Sequence, residues 1–342
     1  FGFGLPEVEP ADRSLLDGEL PIIRSTWTED GLAYEQEAFA TWLWGHDAAK
    51  RPDGDDPVVA MVQLRIANLS DLDARVIRLP LTASVDRVRP ICLSAQGDQV
   101  RSADEAASRL GYLIEGTGSL KQVGDGLCYE LKLPARGSTT VHLKVPFINA
   151  DQPQEIAKLA RLSYAEEKAR VADFWRRRLN QGAQIETPSA TLNAFYRTHL
   201  MHMLVINDRE PGSRRTVARC GGFDYGSFPD EGCMVISDLD RRGYTPEAER
   251  CLDLYLDYQG TVPLPGNYAS SEGVFYGSGG YEVAGYNRNQ GWVMWCLAEH
   301  YRYTHDRAWL EHAAPALVSA CDWITRERQA TRHLDEGGRR PI

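Results

Sequence analysis

The stretch Phe228-Pro229-Asp230-Glu231-Gly232-Cys233-Met234-Val235-Ile236-Ser237-Asp238-Leu239-Asp240-Arg241-Arg242-Gly243-Tyr244-Thr245-Pro246 reads as two helices meeting at a sharp turn. The first begins near Gly232, carries Met234, Val235, Ile236 and Leu239, and ends at Gly243. Thr245 then acts as a cap, and Pro246 sits in the first turn of the next helix, where its missing N–H costs nothing. Ala248, Cys251, Leu252, Tyr255 and Leu256 give that second helix one apolar face, and Gly260 stops it.

The same alternation extends outward on both sides. Upstream, Leu192, Phe195, Tyr196, His199, Leu200, Met203 and Leu204 recur at i, i+3, i+4 spacing, which predicts a helix over 189–207 with one buried face. Downstream, Gly260 to Tyr286 is rich in Gly, Ser and Tyr and has no period. A loop that long inside a compact domain is usually functional. Gly291-Trp292-Val293-Met294-Trp295-Cys296-Leu297-Ala298 is apolar almost all round, which predicts a fully buried helix over 288–303. Residues 308–328 read as another amphipathic helix, with Pro315 expected to kink or break it. Strongly apolar helices (232–243 and 288–303) thus alternate with amphipathic ones (189–207, 246–259 and 308–328). Inner and outer members of a ring of helix pairs have these characters, because an inner helix is covered on nearly all sides.

The first part of the chain has a different period. Val62, Leu64 and Ile66 alternate with Gln63 and Arg65; Leu127, Tyr129, Leu131 and Leu133 with Cys128, Glu130 and Lys132; Val141, Leu143 and Val145 with Thr140, His142 and Lys144. A period of two puts one set on a buried face and the other in water. Turn formers separate the runs, among them Asn68-Leu69-Ser70-Asp71 and Pro134-Ala135-Arg136-Gly137. This predicts antiparallel sheets packed as a β-sandwich over 1–150. Residues 151–182 are charged and helix-favouring, with Val171, Phe174, Trp175 and Leu179 as the apolar positions and Gly182 at the end, and are expected to form a linker helix. The fold expected is therefore an N-terminal antiparallel β-sandwich followed by an incomplete (α/α)6 toroid over 183–342.

The net charge of −10 argues against nucleic acid or an anionic membrane surface as the partner and suits a neutral substrate. No apolar run reaches the ~18–20 residues a membrane helix needs. The chain opens Phe1-Gly2-Phe3-Gly4, with no signal-like segment; it is taken as trimmed, and a cytoplasmic location is favoured over a secreted one. Seven cysteines at wide spacings, with no C-x-x-C, form neither a disulfide framework nor a zinc pattern and are expected as buried small hydrophobes. Neither a metal nor a cofactor is expected, and oligomerisation is left open.

Three stretches resemble the six-hairpin glycosidases, a superfamily of glucoamylase-like hydrolases, glycogen-debranching-type enzymes and sugar phosphorylases. They are Phe228 to Gly232 with Asp238 to Ala248; Asn287 to Tyr301; and Thr304 to Ile324. The first is similar to the family's aromatic-Pro-Arg-Asp-Gly segment, with Asp230 in place of the arginine and Glu231 at the position of the aspartate. The second is similar to the inner helix after the second active-site loop, although Arg288-Asn289-Gln290-Gly291 lacks the aspartate that some relatives carry there. The resemblance implies a glycoside hydrolase acting on an oligo- or polysaccharide. It also implies that the general acid lies on a loop beginning near Leu334 and continuing past Ile342.

Glycoside cleavage needs a proton donor for the leaving oxygen and a second carboxylate that activates water or attacks carbon. Asp230 and Glu231 stand just before an inner helix, where the helix dipole favours an anion. Either they only cap that helix or one faces the substrate; Glu231 is the preferred choice. Arg219, Asp224, Tyr225 and Phe228 belong to the loop feeding the helix and are candidates for sugar contact, the aromatics by stacking and Asp224 by hydrogen bonding. Tyr268, Phe275, Tyr276, Tyr281, Glu282 and Tyr286 crowd the second loop, of which Tyr281 and Glu282, with Arg288 beyond, are the further candidates. Trp292 and Trp295 read as core residues, and His199 and His202 as core or interface histidines.

Two other readings share the chain. A glycoside phosphorylase would replace water by phosphate and would need basic groups, for which Arg214, Arg215 and Arg288 are candidates. A non-catalytic carbohydrate-binding protein would explain the missing arginine and the Asn289-Gln290 pair.

Overall fold

In a computed structural model, residues 2–3, 12–45, 56–82, 84–85, 89–104, 107–124, 126–147, 150, 152–210, 213, 215–221, 228–261, 270–275 and 286–330 are described. The chain divides into two compact units, Phe1–Pro52 with Asp56–Arg178, and Asp53–Asp55 with Leu179–Ile342.

Period-two alternation builds the first unit. Its strands are β1 (Gly2–Phe3), β2 (Asp12–Leu16), β3 (Leu20–Glu29), β4 (Leu32–Trp42), β5 (Val58–Asn68), β6 (Arg75–Thr82), β7 (Ser84–Val85), β8 (Arg89–Pro90), β9 (Cys92–Gln96), β10 (Gln99–Asp104), β11 (Ala107–Glu115), β12 (Ser119–Val123), β13 (Gly126–Leu133) and β14 (Ser138–Pro146). An eight-stranded antiparallel sheet has the order β2-β3-β4-β5-β14-β11-β10-β9, and a four-stranded one the order β1-β6-β13-β12. Leu64, Ile66, Val141 and Leu143 of the larger sheet share one apolar core with Ile77, Leu79, Leu127, Tyr129 and Leu131 of the smaller. Burying each such side chain stabilises the fold by about 1.5–3 kcal/mol.

The opposite face of the larger sheet is partly covered by helices. The expected single linker is two helices, α1 (Pro153–Arg161) and α2 (Tyr164–Leu179). Lys144, only 2 % exposed, reaches through the sheet face to donate to the Ala160 carbonyl at 2.9 Å and pairs with Glu115. Tyr164 donates to Glu37 Oε1 at 2.9 Å, Lys168 donates to Glu37 Oε2 at 2.8 Å, and Thr41 donates to Glu167 at 2.8 Å. These bonds seat α2 on β4, with the Tyr164 ring tilted against Phe39.

Helical periodicity builds the second unit. Its helices among the described residues are α3 (Ala190–Ile206), α4 (Pro229–Arg241), α5 (Thr245–Tyr258), α6 (Tyr286–Thr304) and α7 (Arg307–Ala330), with a small β-hairpin of β15 (Asp208–Arg209) and β16 (Thr216–Val217) after α3. Ser189 caps α3 by accepting from the Leu192 amide. Tyr244, rather than Thr245, is the cap residue of α5. Pro315 is carried inside α7, which runs on without a break.

Two contacts fix the relative direction of α4 and α6. The Cys296 thiol approaches the Cys233 carbonyl at 3.6 Å, and His300 meets Asp240 further along both chains. α4 and α6 therefore run parallel. α5 runs back along α4, since Tyr255 near its end faces Gly232 near the start of α4. A Cβ at Gly232 would stand 2.6 Å from the Tyr255 hydroxyl and 3.1 Å from the Ala218 carbonyl, so this close approach requires glycine.

Three expectations for these helices need correction. α6 is not buried all round: Gly291, Trp295 and Ala298 form an exposed face, and Trp295 stands edge-on to Trp292. α3 buries Leu200, Met201 and Met203 but leaves Leu192 and Phe195 exposed. Cys128, Cys233, Cys251 and Cys296 are buried, whereas Cys92, Cys220 and Cys321 are exposed free thiols. For α3 and α6, sequence periodicity identified an apolar face but could not say whether another element reaches it. No described helix is long and apolar enough to cross a membrane.

Candidate site at the leading ends of two parallel helices

Because α4 and α6 run parallel, their first turns lie at one end of the second unit. The segment before each helix therefore arrives at that same end.

At α4, Phe228 is the cap residue, Pro229 begins the helix, and Asp230 and Glu231 occupy its first turn. Phe228, Asp230 and Glu231 are all half-buried. The Oε2 atom of Glu231 is buried and receives no hydrogen bond from any described residue. An acceptor in that state is costly unless a ligand or water completes it. Cys220 neighbours the Glu231 carboxylate and, although its residue is largely exposed, burial of the thiol first, then the charge and hydrogen bond of Glu231, then Asp230, push it up to about 11. So raised a thiol is a poor nucleophile at neutral pH. Arg219 is held by Asp208, with Nε 2.8 Å from Oδ2. That ion pair ties the segment after β16 back to β15.

At α6, the first turn carries Arg288, followed by Asn289 and Gln290. Asn289 is 8 % exposed, and its Oδ1 also receives no hydrogen bond from a described residue. Gln290 is fully buried and uses both ends of its amide. Its Oε1 accepts from the Phe275 N–H at 2.8 Å, and its Nε2 donates to the Gly273 carbonyl at 2.7 Å. Gln259 adds a bond to the same carbonyl and another to Ala316. Trp323 and Arg326 on α7 hold the carbonyls of Ser270 and Glu272. The foot of the long loop, 270–275, is thus clamped from three helices. Phe275 is 1 % exposed and belongs to this clamp, not to a sugar-facing surface. Gly273 has φ +92°, and a Cβ there would collide with the Ser319 carbonyl.

Asp224, Tyr225, Tyr281 and Glu282 lie outside the described residues, as do Tyr268, Tyr276 and Arg214. Of the candidates read from sequence, Glu231, Asp230, Phe228 and Arg219 belong to the α4 end, and Arg288 lies in the first turn of α6. Asn289 and Gln290 had drawn attention only as departures from a family pattern.

A further buried polar pair on these helices is Asp240 with His300. Both Asp240 oxygens lie within 2.9–3.0 Å of His300 Nδ1, and the two side chains are 0 % and 1 % exposed. Burial raises the Asp240 carboxyl, and the His300 hydrogen bond and charge oppose that rise. The pair lies two to three turns from Glu231 along the helices, so it fastens α4 to α6 rather than meeting a substrate at their leading ends. An acid and a histidine at buried positions of two apolar helices were the available signal for it. Among the described residues, no group of three or more His, Cys, Asp or Glu side chains could hold a metal ion.

No protein-family model matches this chain, and no curated protein matches it. Function must be read from the site itself.

Proposed function

We propose that this chain belongs to a glycoside hydrolase of the six-hairpin kind, with a β-sandwich in its first unit and the opening part of an (α/α)6 toroid in its second. The saccharide would lie at the leading ends of α4 and α6, with Glu231 as one of the two carboxylates. The observation that carries the reading is the half-buried Glu231 carboxylate in the first turn of α4, one of two helices that run parallel.

The chemistry follows from that position. An ionised Glu231 can accept from a sugar hydroxyl or from an attacking water. The proton donor belongs to another loop, expected after α7. Asn289 offers a second acceptor from the α6 side, and its amide nitrogen a donor, to fix the ring that Glu231 faces.

The phosphorylase reading is weaker, because Arg215 is committed elsewhere. It pairs with Glu210 and, at 3.1 Å, with Asp257, and its guanidinium lies over the Tyr258 ring. The deciding assay is release of reducing sugar from a panel of neutral glycans, with phosphate present and absent. Phosphate-independent release supports hydrolysis; strictly phosphate-dependent release, or none from any glycan, overturns it.

A further inference from the structure

The face of the eight-stranded sheet that carries α2 is only partly covered. Beyond Glu37, in the direction of the turn joining β3 to β4, it holds an open hollow of about 470 Å³. Strand register defines its floor and wall. Thr28, Ala33 and Ala67 lie abreast on β3, β4 and β5, and Thr26, Glu35 and Arg65 form the adjacent row. The two alanines make the depression; the neighbouring row rises as a carboxylate beside a guanidinium.

We propose that this hollow is a second, non-catalytic binding site for a neutral sugar unit of a glycan chain. Its size falls within the roughly 300–1,000 Å³ of small-ligand sites. The floor is methyl groups, which suit the C–H face of a pyranose. The wall supplies what vicinal hydroxyls need: Arg65 is donor-only, ionised Glu35 is acceptor-only, and the threonine hydroxyls are both. Arg24 pairs with Glu35 and holds it in place, and the second carboxylate oxygen keeps acceptor capacity. Glu35 neutralises one of the two neighbouring guanidiniums, Arg24 and Arg65. The chain's net charge of −10 disfavours a polyanion. All six residues are on paired strands rather than on loops, so the site is formed before the ligand arrives.

The choice of a sugar rests on the hydrolase reading, and the test separates the two. Titration calorimetry of the whole chain uses hexasaccharides of α- and β-linked glucose, xylose and mannose. The variants are Ala67→Trp, which fills the hollow, and Arg65→Ala, at an exposed position, each checked for an unchanged urea midpoint. At least one hexasaccharide should bind, and each variant should weaken it by about tenfold or more, with cleavage of a short aryl glycoside unchanged. Wild-type affinity in Arg65→Ala and Ala67→Trp, or no binding by the wild type, overturns the inference. Cleavage without hollow-dependent binding leaves the hydrolase standing alone. Hollow-dependent binding without cleavage of any glycan leaves the second site standing and removes the hydrolase.

Discussion

Asp240 on α4 and His300 on α6 are joined inside the helical unit with both carboxylate oxygens directed at one imidazole nitrogen, at 2.9 and 3.0 Å. The Trp309 ring, 4.3 Å from that imidazole between centroids, packs on it from α7. One polar contact therefore sets the spacing of the two helices whose leading ends carry Glu231 and Asn289.

Removing one partner leaves the other buried and unsatisfied. His300→Ala should destabilise the fold by about 3–5 kcal/mol. Replacing both residues by leucine should recover much of that loss, because an apolar pair needs no hydrogen bond. Urea denaturation of the single and double variants measures both effects.

Glu210 governs an acid-sensitive contribution. Its partial burial would raise the carboxyl, but hydrogen bonds from Tyr258, Arg215 and Ser213 and the Arg215 charge outweigh this and hold it below the usual range. Stability from a carboxyl lowered in the folded state is full above its unfolded value and is lost as pH falls through the folded one. Glu210→Gln should therefore be less stable at neutral pH and show a flatter acid limb. Urea midpoints taken from neutral pH to about pH 3 test this.

Gln290 should act locally. Gln290→Ala leaves the Phe275 N–H without its acceptor and should cost about 1–3 kcal/mol. Hydrogen exchange at the Phe275 amide should accelerate far more than exchange in α4 or α5. Equal acceleration throughout the unit would show that the side chain supports the whole fold and not the loop foot.

How much of this was legible in the sequence depends on the range of the interaction. Strand alternation at Leu127, Leu131, Val141 and Leu143 is local, and those residues form the shared core. The five helices from α3 to α7 stand close to the segments their periodicity marked. Contacts across the chain were not legible. The Tyr164–Glu37 bond spans 127 positions, and Asp240–His300 spans 60. Nothing local marks either pairing. Trp295 shows the converse failure: an apolar helix reads as buried, but whether a neighbour covers each face is decided by packing. At the site, Glu231 stood out through its place in a motif. Gln290 did not, because a clamp is visible only when its two backbone partners are.

The most direct test of the central claim is the glycan-cleavage rate of the protein with Glu231→Gln, which keeps the shape of the side chain and removes its charge. A fall of between about 100- and 10,000-fold, with an unchanged urea midpoint, is the predicted result. Wild-type turnover in a folded Glu231→Gln protein would contradict the claim, because the carboxylate at the head of α4 would then have no part in the chemistry.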